Sequence, residues 1–325
     1  LQGQGLRDPQ PALRRLAMTL TILPDDGLDP LLKAIARARR CLDIMIFRLD
    51  VKDVVDALEA AVKRGVAVRA LIAHTNKGGE KSLRKLETRL LAIGVTVSRT
   101  GGDLVRYHGK LVIVDGKTLL LNGYNFTWLD IERSRSFGIA TTSAPIVRDA
   151  QKLFQCDCDR QAYDAGVSRL VVSPANARER LAAFIKGARR ELLIYDPTIS
   201  DPRMLRLLAA RKAAGVDVRI IGKVSPKSPL AAEKYPGKRL HVRAIIRDGA
   251  QAFLGSQSLR RLELDRRREV GLFIAERPVV RRMKAVFEAD WAKTAAGVAA
   301  AADQEAPADR VSGRSTEEVL ELATA

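Results

Sequence analysis

His108-Gly109-Lys110-Leu111-Val112-Ile113-Val114-Asp115-Gly116, continued by Asn122-Gly123-Tyr124-Asn125-Phe126-Thr127, is the stretch on which the reading of this chain turns. A histidine and a lysine two apart on a strand would point to the same face. The apolar run at 111–114 then carries the chain through a core, and Asp115-Gly116 turns it. A fixed positive charge beside an imidazole suits a phosphoryl oxygen and the atom that attacks it. The pattern returns further along as His241-Val242-Arg243, Asp248-Gly249 and Gly255-Ser256-Gln257-Ser258.

Working outward, the repetition extends well beyond the motif. Pro24 matches Pro174, Ile35 matches Ile185, Ala38-Arg39-Arg40 matches Ala188-Arg189-Arg190, and Gly65 matches Gly215, all offset by 150. From the motif onward the offset is 133: His108 to His241, Asp115 to Asp248, Gly138 to Gly271, Phe154 to Phe287, Asp157 to Asp290. A single change of length between two constant offsets marks a duplicated unit. It falls where half one has a helix at 80–93 and half two a proline-containing loop around 225–238.

Within each half, strands alternate with helices. Half one reads as strands at 20–23, 42–47, 66–73, 95–98 and 137–141, with helices at 29–40, 50–64, 80–93 and 145–160. The apolar strands predict helices on both faces of the sheets. The expected fold is α/β, two pseudo-twofold-related domains at 20–165 and 166–294. A lead-in at 1–19 precedes them and an alanine-rich, then acidic tail at 295–325 follows, with a capping box at Ser315-Thr316-Glu317-Glu318.

Composition narrows the partners without choosing one. Fifty-six Lys+Arg against 38 Asp+Glu give a formal charge of +18, a field that draws anions such as nucleic acid, anionic lipid or phosphate esters. Cys41, Cys156 and Cys158 make no disulfide framework, and a Cys-x-Cys pair is too little for a metal site. No run of about 18 apolar residues suggests a span, and the first residues lack the charged-then-apolar pattern of an export signal. A cytoplasmic or peripheral-membrane location is the expectation, with no cofactor.

Cleaving a phosphodiester without a metal requires a nucleophile, an acid for the leaving oxygen and positive charge on the other oxygens. Two histidines of three in the chain occupy equivalent repeat positions, and one neutral and one protonated imidazole fill the first two roles. Lys110 and Arg243 fill the third, Lys as a point charge and Arg with a planar fork.

At this point the chain resembles the phospholipase D superfamily, whose hallmark is a duplicated His-x-Lys-x4-Asp motif followed by Gly-Ser and often Asn. The resemblance covers roughly 20–292. It implies one site between the halves, a phosphohistidine intermediate, and transfer of the phosphoryl group to water or an alcohol. It implies that one of His108 and His241 attacks and the other protonates the leaving group. Lys110 and Asn125 would hold phosphate oxygens, with Arg243, Ser256 and Ser258 in the matching places, and Asp115 and Asp248 would tie the motif loops. In the family a Glu downstream of the motif histidine orients its imidazole, and the position that matches it after His241 is Glu269. Half one has Ser136 there, with Glu132 nearby as a substitute. The family's habit favours His108 as nucleophile and the retained Glu269 favours His241; His108 is preferred here.

The resulting expectation is a phosphodiesterase or phosphatidyltransferase acting on phospholipid, resembling cardiolipin synthase-like proteins. A nuclease of the same superfamily and a non-catalytic binder of anionic lipid or nucleic acid are the alternatives. Several features carry bland readings: His74 as a strand-end residue, Tyr124 and Trp128 as packing beside the motif loop, Arg37–Arg40 and Arg266–Arg268 as solvated faces, and Gly78-Gly79 and Gly101-Gly102 as hinges.

Overall fold

The computed structural model describes residues 18–74, 80–166 and 168–305. Most of the lead-in, Gly78-Gly79 and the capping box at 315–318 lie outside the described residues. The elements of half one, in chain order, are β1 (Met18–Leu23), α1 (Asp29–Ala36), β2 (Cys41–Ile46), α2 (Lys52–Lys63), β3 (Ala67–Ile72), α3 (Glu80–Ala92), β4 (Thr96–Arg99), β5 (Arg106–Tyr107), β6 (Leu111–Val114), β7 (Thr118–Asn122), α4 (Trp128–Arg133), β8 (Ser136–Thr141) and α5 (Ala144–Cys158). Half two continues with β9 (Leu170–Val172), α6 (Ala177–Lys186), β10 (Glu191–Ile199), α7 (Pro202–Ala213), β11 (Asp217–Val224), β12 (Ala244–Arg247), β13 (Gln251–Gly255), α8 (Arg261–Asp265), β14 (Arg267–Arg268), β15 (Val270–Ile274), α9 (Arg277–Trp291) and α10 (Ala295–Glu305).

Each half builds one mixed sheet. The first has the strand order β1-β8-β7-β6-β2-β3-β4 and the second, read from the matching edge, β9-β15-β13-β12-β10-β11. Position for position these are the same sheet, and β4 is the strand that half two lacks. The step in offset from 150 to 133 therefore reflects the α3–β4 unit. Residues from 295, read as the start of a tail, continue as α10, with the Ala296 N–H donating to Glu233.

Strands buried on both faces explain their unbroken apolar sequences. The outer faces of the two sheets are covered by α1, α2 and α3 in half one and by α6 and α7 in half two, each over its own core. The inner faces share a third core, in which Leu111, Ile113, Phe137 and Phe154 of half one pack with Tyr195, Leu254, Leu272 and Phe287 of half two. Fully burying each such side chain contributes about 1.5–3 kcal/mol. The sheets are thus pressed together, and the loops at their facing ends have nowhere to go but against each other.

The motif hairpins are held at their far ends by the paired aspartates. Asp115 and Gly116 turn β6 into β7 with φ of 53° and 63°, and Asp248 and Gly249 turn β12 into β13 with 54° and 63°. Two successive positive φ values are what Asp-Gly tolerates and most residues do not. The Asp115 carboxylate accepts from the N–H groups of Arg39, Arg40 and Cys41, at 2.7 Å for Arg40. Asp248 does the same with Arg189, Arg190 and Glu191, again at 2.7 Å for Arg190. In both, burial is outweighed by these donors, which hold the carboxyls below their usual range.

Candidate active site

The histidines do not lie on strands. β6 begins at Leu111 and β12 at Ala244, so His108 to Lys110 and His241 to Arg243 are irregular lead-ins. The cation of each motif turns back on its own histidine: Lys110 Nζ donates to the His108 carbonyl at 2.7 Å, and an Arg243 guanidinium nitrogen donates to the His241 carbonyl at 2.8 Å.

What brings the two motifs together is a reciprocal exchange of backbone. β5 of half one pairs in parallel with β14 of half two, Arg106 with Arg267 and Tyr107 with Arg268. Its mirror image is a parallel bridge between Arg135 of half one and Leu240 of half two. Each register ends on a histidine: the His108 N–H donates to the Arg268 carbonyl at 2.7 Å, and the His241 N–H donates to the Arg135 carbonyl at 3.0 Å. Ion pairs repeat the exchange, Arg268 with Asp157 and Arg135 with Asp290, both at 3.0 Å. Arg267 and Arg268 are therefore buried in the junction, and only Arg266 of that run fits the solvated face expected.

The exchange decides which carboxylate serves which ring. Glu269 follows Arg268 in half two, and its Oε2 lies 2.8 Å from Nδ1 of His108, in the other half. Its position downstream of His241 in the sequence pointed to the opposite partner. Ser136 is the corresponding residue of half one, following Arg135, and its hydroxyl has no hydrogen-bond partner among the described residues. Glu132 is exposed on α4 and does not take its place. Asp130, 2% exposed, comes closer: one carboxylate oxygen lies 3.4 Å from Nδ1 of His241. That oxygen also accepts from the backbone and side-chain nitrogens of Asn125, both at 2.7 Å, and the other oxygen pairs with Arg239. Nδ1 of His241 remains without a hydrogen bond among the described residues. Asp130 was not read from the sequence; the signal available was the repeat itself, which aligns it with Glu263, another buried acid.

The other expected ligands are close by. Asn125 is buried with Oδ1 unpartnered among the described residues, and Ser258 Oγ accepts from Arg243 Nε at 3.3 Å. Ser256 is engaged elsewhere, accepting from the Val270 N–H at 3.1 Å and donating to the Val270 carbonyl at 3.4 Å. Asp115 and Asp248 sit at the opposite ends of β6 and β12 from the histidines. His74, exposed beyond β3, lines a cavity of about 390 Å³ with Arg106 and Tyr107. Tyr124 packs against Leu23 and Ile131, whereas Trp128 is 55% exposed.

The site is short of protons. Burial, with Lys110, Arg243, Arg267 and Arg106, holds His108 well below the ordinary imidazole range. Burial and the charges of Arg243, Arg239 and Lys110 do the same to His241. Burial brings Lys110 down to about 7, with Glu269 and Asp130 resisting and Arg243 and Arg267 assisting. Glu269 is pushed up by burial against the pull of Lys110 and Arg243. Two neutral imidazoles among buried cations make a site electrostatically prepared for an anion, and an arriving phosphate would raise both histidines. Among the described residues no cluster of three or more His, Cys, Asp or Glu is placed to hold a metal.

A family model described as "Cardiolipin synthase, PLD-like domain" matches residues 31–158 and again 181–291. The chain belongs to the phospholipase D superfamily. Among phospholipase D-like proteins, a curated relative is the probable cardiolipin synthase YwiE of Bacillus subtilis (strain 168), 22% identical over 82% of this chain. The chain spans 64% of that relative's length. Polyphosphate kinase from Porphyromonas gingivalis has the fold over 83% of this chain and 50% of its own, with 20% identity and a TM-score of 0.69. Phosphatidylserine synthase of Haemophilus influenzae Rd KW20 has it over 87% of both chains, with 12% identity and a TM-score of 0.65. No helix among the described residues of this phospholipase D-like chain is long and apolar enough to cross a membrane.

Proposed function

We propose that the chain is a phospholipase D-type phosphodiesterase or phosphatidyltransferase that acts on phospholipid, without a metal, through a phosphohistidine on His108. The observation that carries this reading is the Glu269–His108 pair at 2.8 Å, set in the same buried space as His241, Lys110 and Arg243. With Glu269 ionised and accepting from Nδ1–H, the lone pair of Nε2 faces outward as nucleophile.

Nε2 of His108 attacks phosphorus while the bond to the leaving oxygen breaks. That oxygen takes a proton from His241, charged once the substrate phosphate is in place. Lys110, Asn125 and Arg243 stabilise the non-bridging oxygens. In the second step His241 accepts the proton of water or an alcohol, whose oxygen attacks phosphorus and releases His108. Both cues for the nucleophile now agree, since the retained glutamate serves His108.

The choice of lipid rests on the exposed surface next to the motif loop. Trp128 and Leu129, 55% and 47% exposed, follow the motif loop directly, and Arg133 stacks on the Trp128 ring at 5.2 Å. Aromatic, aliphatic and cationic groups together suit an anionic membrane interface. The net charge of +18 supports nuclease action as the second reading. A panel of phospholipid vesicles and DNA, assayed in chelator, tests both: headgroup release or transfer to glycerol is expected, and metal-free DNA cutting with intact lipid would replace the lipid reading.

A further inference from the structure

The pseudo-twofold sets an arginine two positions before each histidine, Arg106 in half one and Arg239 in half two. Arg239 is neutralised by Asp130 and also donates to Ser134 Oγ at 2.7 Å. Arg106 has no carboxylate partner among the described residues, and its guanidinium carbon lies 5.5 Å from the centroid of Phe47. Exposed Arg48 stands at 5.5 Å from the same ring, also without a carboxylate partner among the described residues. Lys110 is the third cation there, at 5.4 Å. Phe47 in turn packs edge-on against His108, with ring centres 4.4 Å apart.

Half two has nothing comparable, because Pro197 and Thr198 occupy the places of Phe47 and Arg48. The acids nearest Arg106 are already engaged, Glu263 by Arg260 and Arg267 and Glu269 by His108. Burial and the charge of Arg267 hold Arg106 below its ordinary value, so an incoming anion relieves it. Open space adjoins each guanidinium: a cavity of about 370 Å³ is lined by Phe47, Arg48 and Thr127, and that of about 390 Å³ by Arg106.

We infer that Arg48 and Arg106, each 5.5 Å from the centre of the Phe47 ring, form a second anion subsite on the His108 side, which takes a second phosphate group of the substrate beside the one under attack. This rests on the reading of the histidine pair as a phosphodiester site. Guanidinium forks match phosphate oxygens, and the aromatic face fixes their position before the ligand arrives. The substrate class is then a lipid carrying two phosphates, favoured over one whose headgroup is neutral or cationic beyond the single phosphodiester.

Calorimetric titration of the full chain with orthophosphate and pyrophosphate tests this. Wild type is expected to bind pyrophosphate at least about tenfold more tightly. The Arg48→Gln/Arg106→Gln double variant should bring the ratio close to one with orthophosphate affinity unchanged, which also shows that it folds. A ratio near one in wild type, or an unchanged ratio in the double variant, overturns the subsite. Lys110→Gln should weaken both ligands; if it leaves orthophosphate untouched, the reading of the histidine site fails instead. Displacement of pyrophosphate by glycerol 1,3-bisphosphate assigns the second phosphate to a lipid headgroup. Displacement by a trinucleotide alone overturns that assignment.

Discussion

The two halves share one sheet and one turn at Asp115 and Asp248, and they differ where the histidines meet. Half one brings Lys110, Asn125, Arg106 without a carboxylate partner among the described residues, and the Phe47–Arg48 step; half two brings Arg243, Ser258, neutralised Arg239 and Pro197–Thr198. Glu269 of half two bonds His108, whereas half one offers His241 Asp130 at 3.4 Å, already engaged by Asn125 and Arg239. The scaffold has kept its symmetry and the site has lost it. An unequal pair is what the proposed two-step transfer would use: one ring fixed for attack, the other freer to gain and lose a proton.

The sharpest way to break this comparison is to remove each ring. His108→Ala and His241→Ala should each lower turnover by several orders of magnitude, but with different remnants of chemistry. With substrate labelled at phosphorus and bearing a good leaving group, His241→Ala should accumulate label on protein and His108→Ala should not. The reverse pattern would exchange the roles. A smaller contrast lies in the carboxylates. Glu269→Gln should cost about 10²-fold or more in kcat and Asp130→Asn about tenfold. Adding Ser136→Glu to Asp130→Asn should restore part of the loss, because position 136 mirrors Glu269; no recovery would mean that Asp130 serves Asn125 rather than His241.

Protonation sharpens the contrast between the two cations. Lys110, brought to about 7 by burial, loses its charge as pH rises through that value, whereas Arg243 stays charged. Affinity for a phosphodiester inhibitor, whose own charge is constant, should fall several-fold between about pH 6 and about pH 8, and Lys110→Arg should flatten the curve. The smallest expected difference is at the turns. Asp115→Ala and Asp248→Ala each strip three N–H groups of their acceptor and leave a positive φ, so each should cost about 1–3 kcal/mol by denaturant titration. The two losses should agree, since the two turns are the same structure.

Much of the scaffold was legible because duplication leaves arithmetic in a sequence. The offsets of 150 and 133 carry the elements of half one onto half two, and the lost α3–β4 unit follows from the step between them. The site was half legible. His108, Lys110, Asn125, His241 and Arg243 are brought together, but spacing along one half could not show that the two halves trade partners. Glu269 follows His241 in its own half and is bonded to His108, because the β5–β14 register is a tertiary fact. Arg268 looked like surface charge for the same reason, its acid Asp157 lying in the other half, whereas Arg267 pairs with Glu263 only four residues before it. Trp128 and Tyr124 illustrate a finer limit: they are near neighbours in sequence, yet one is solvent-facing and the other is core.

The traded registers carry one last consequence. Since the backbone that fixes each imidazole is donated by the opposite copy, cutting the gene at its internal seam would yield two polypeptides that are each chemically mute. Mixing them should revive turnover only to the extent that they find one another, and a single ancestral copy with this layout would have had to work as a twofold dimer.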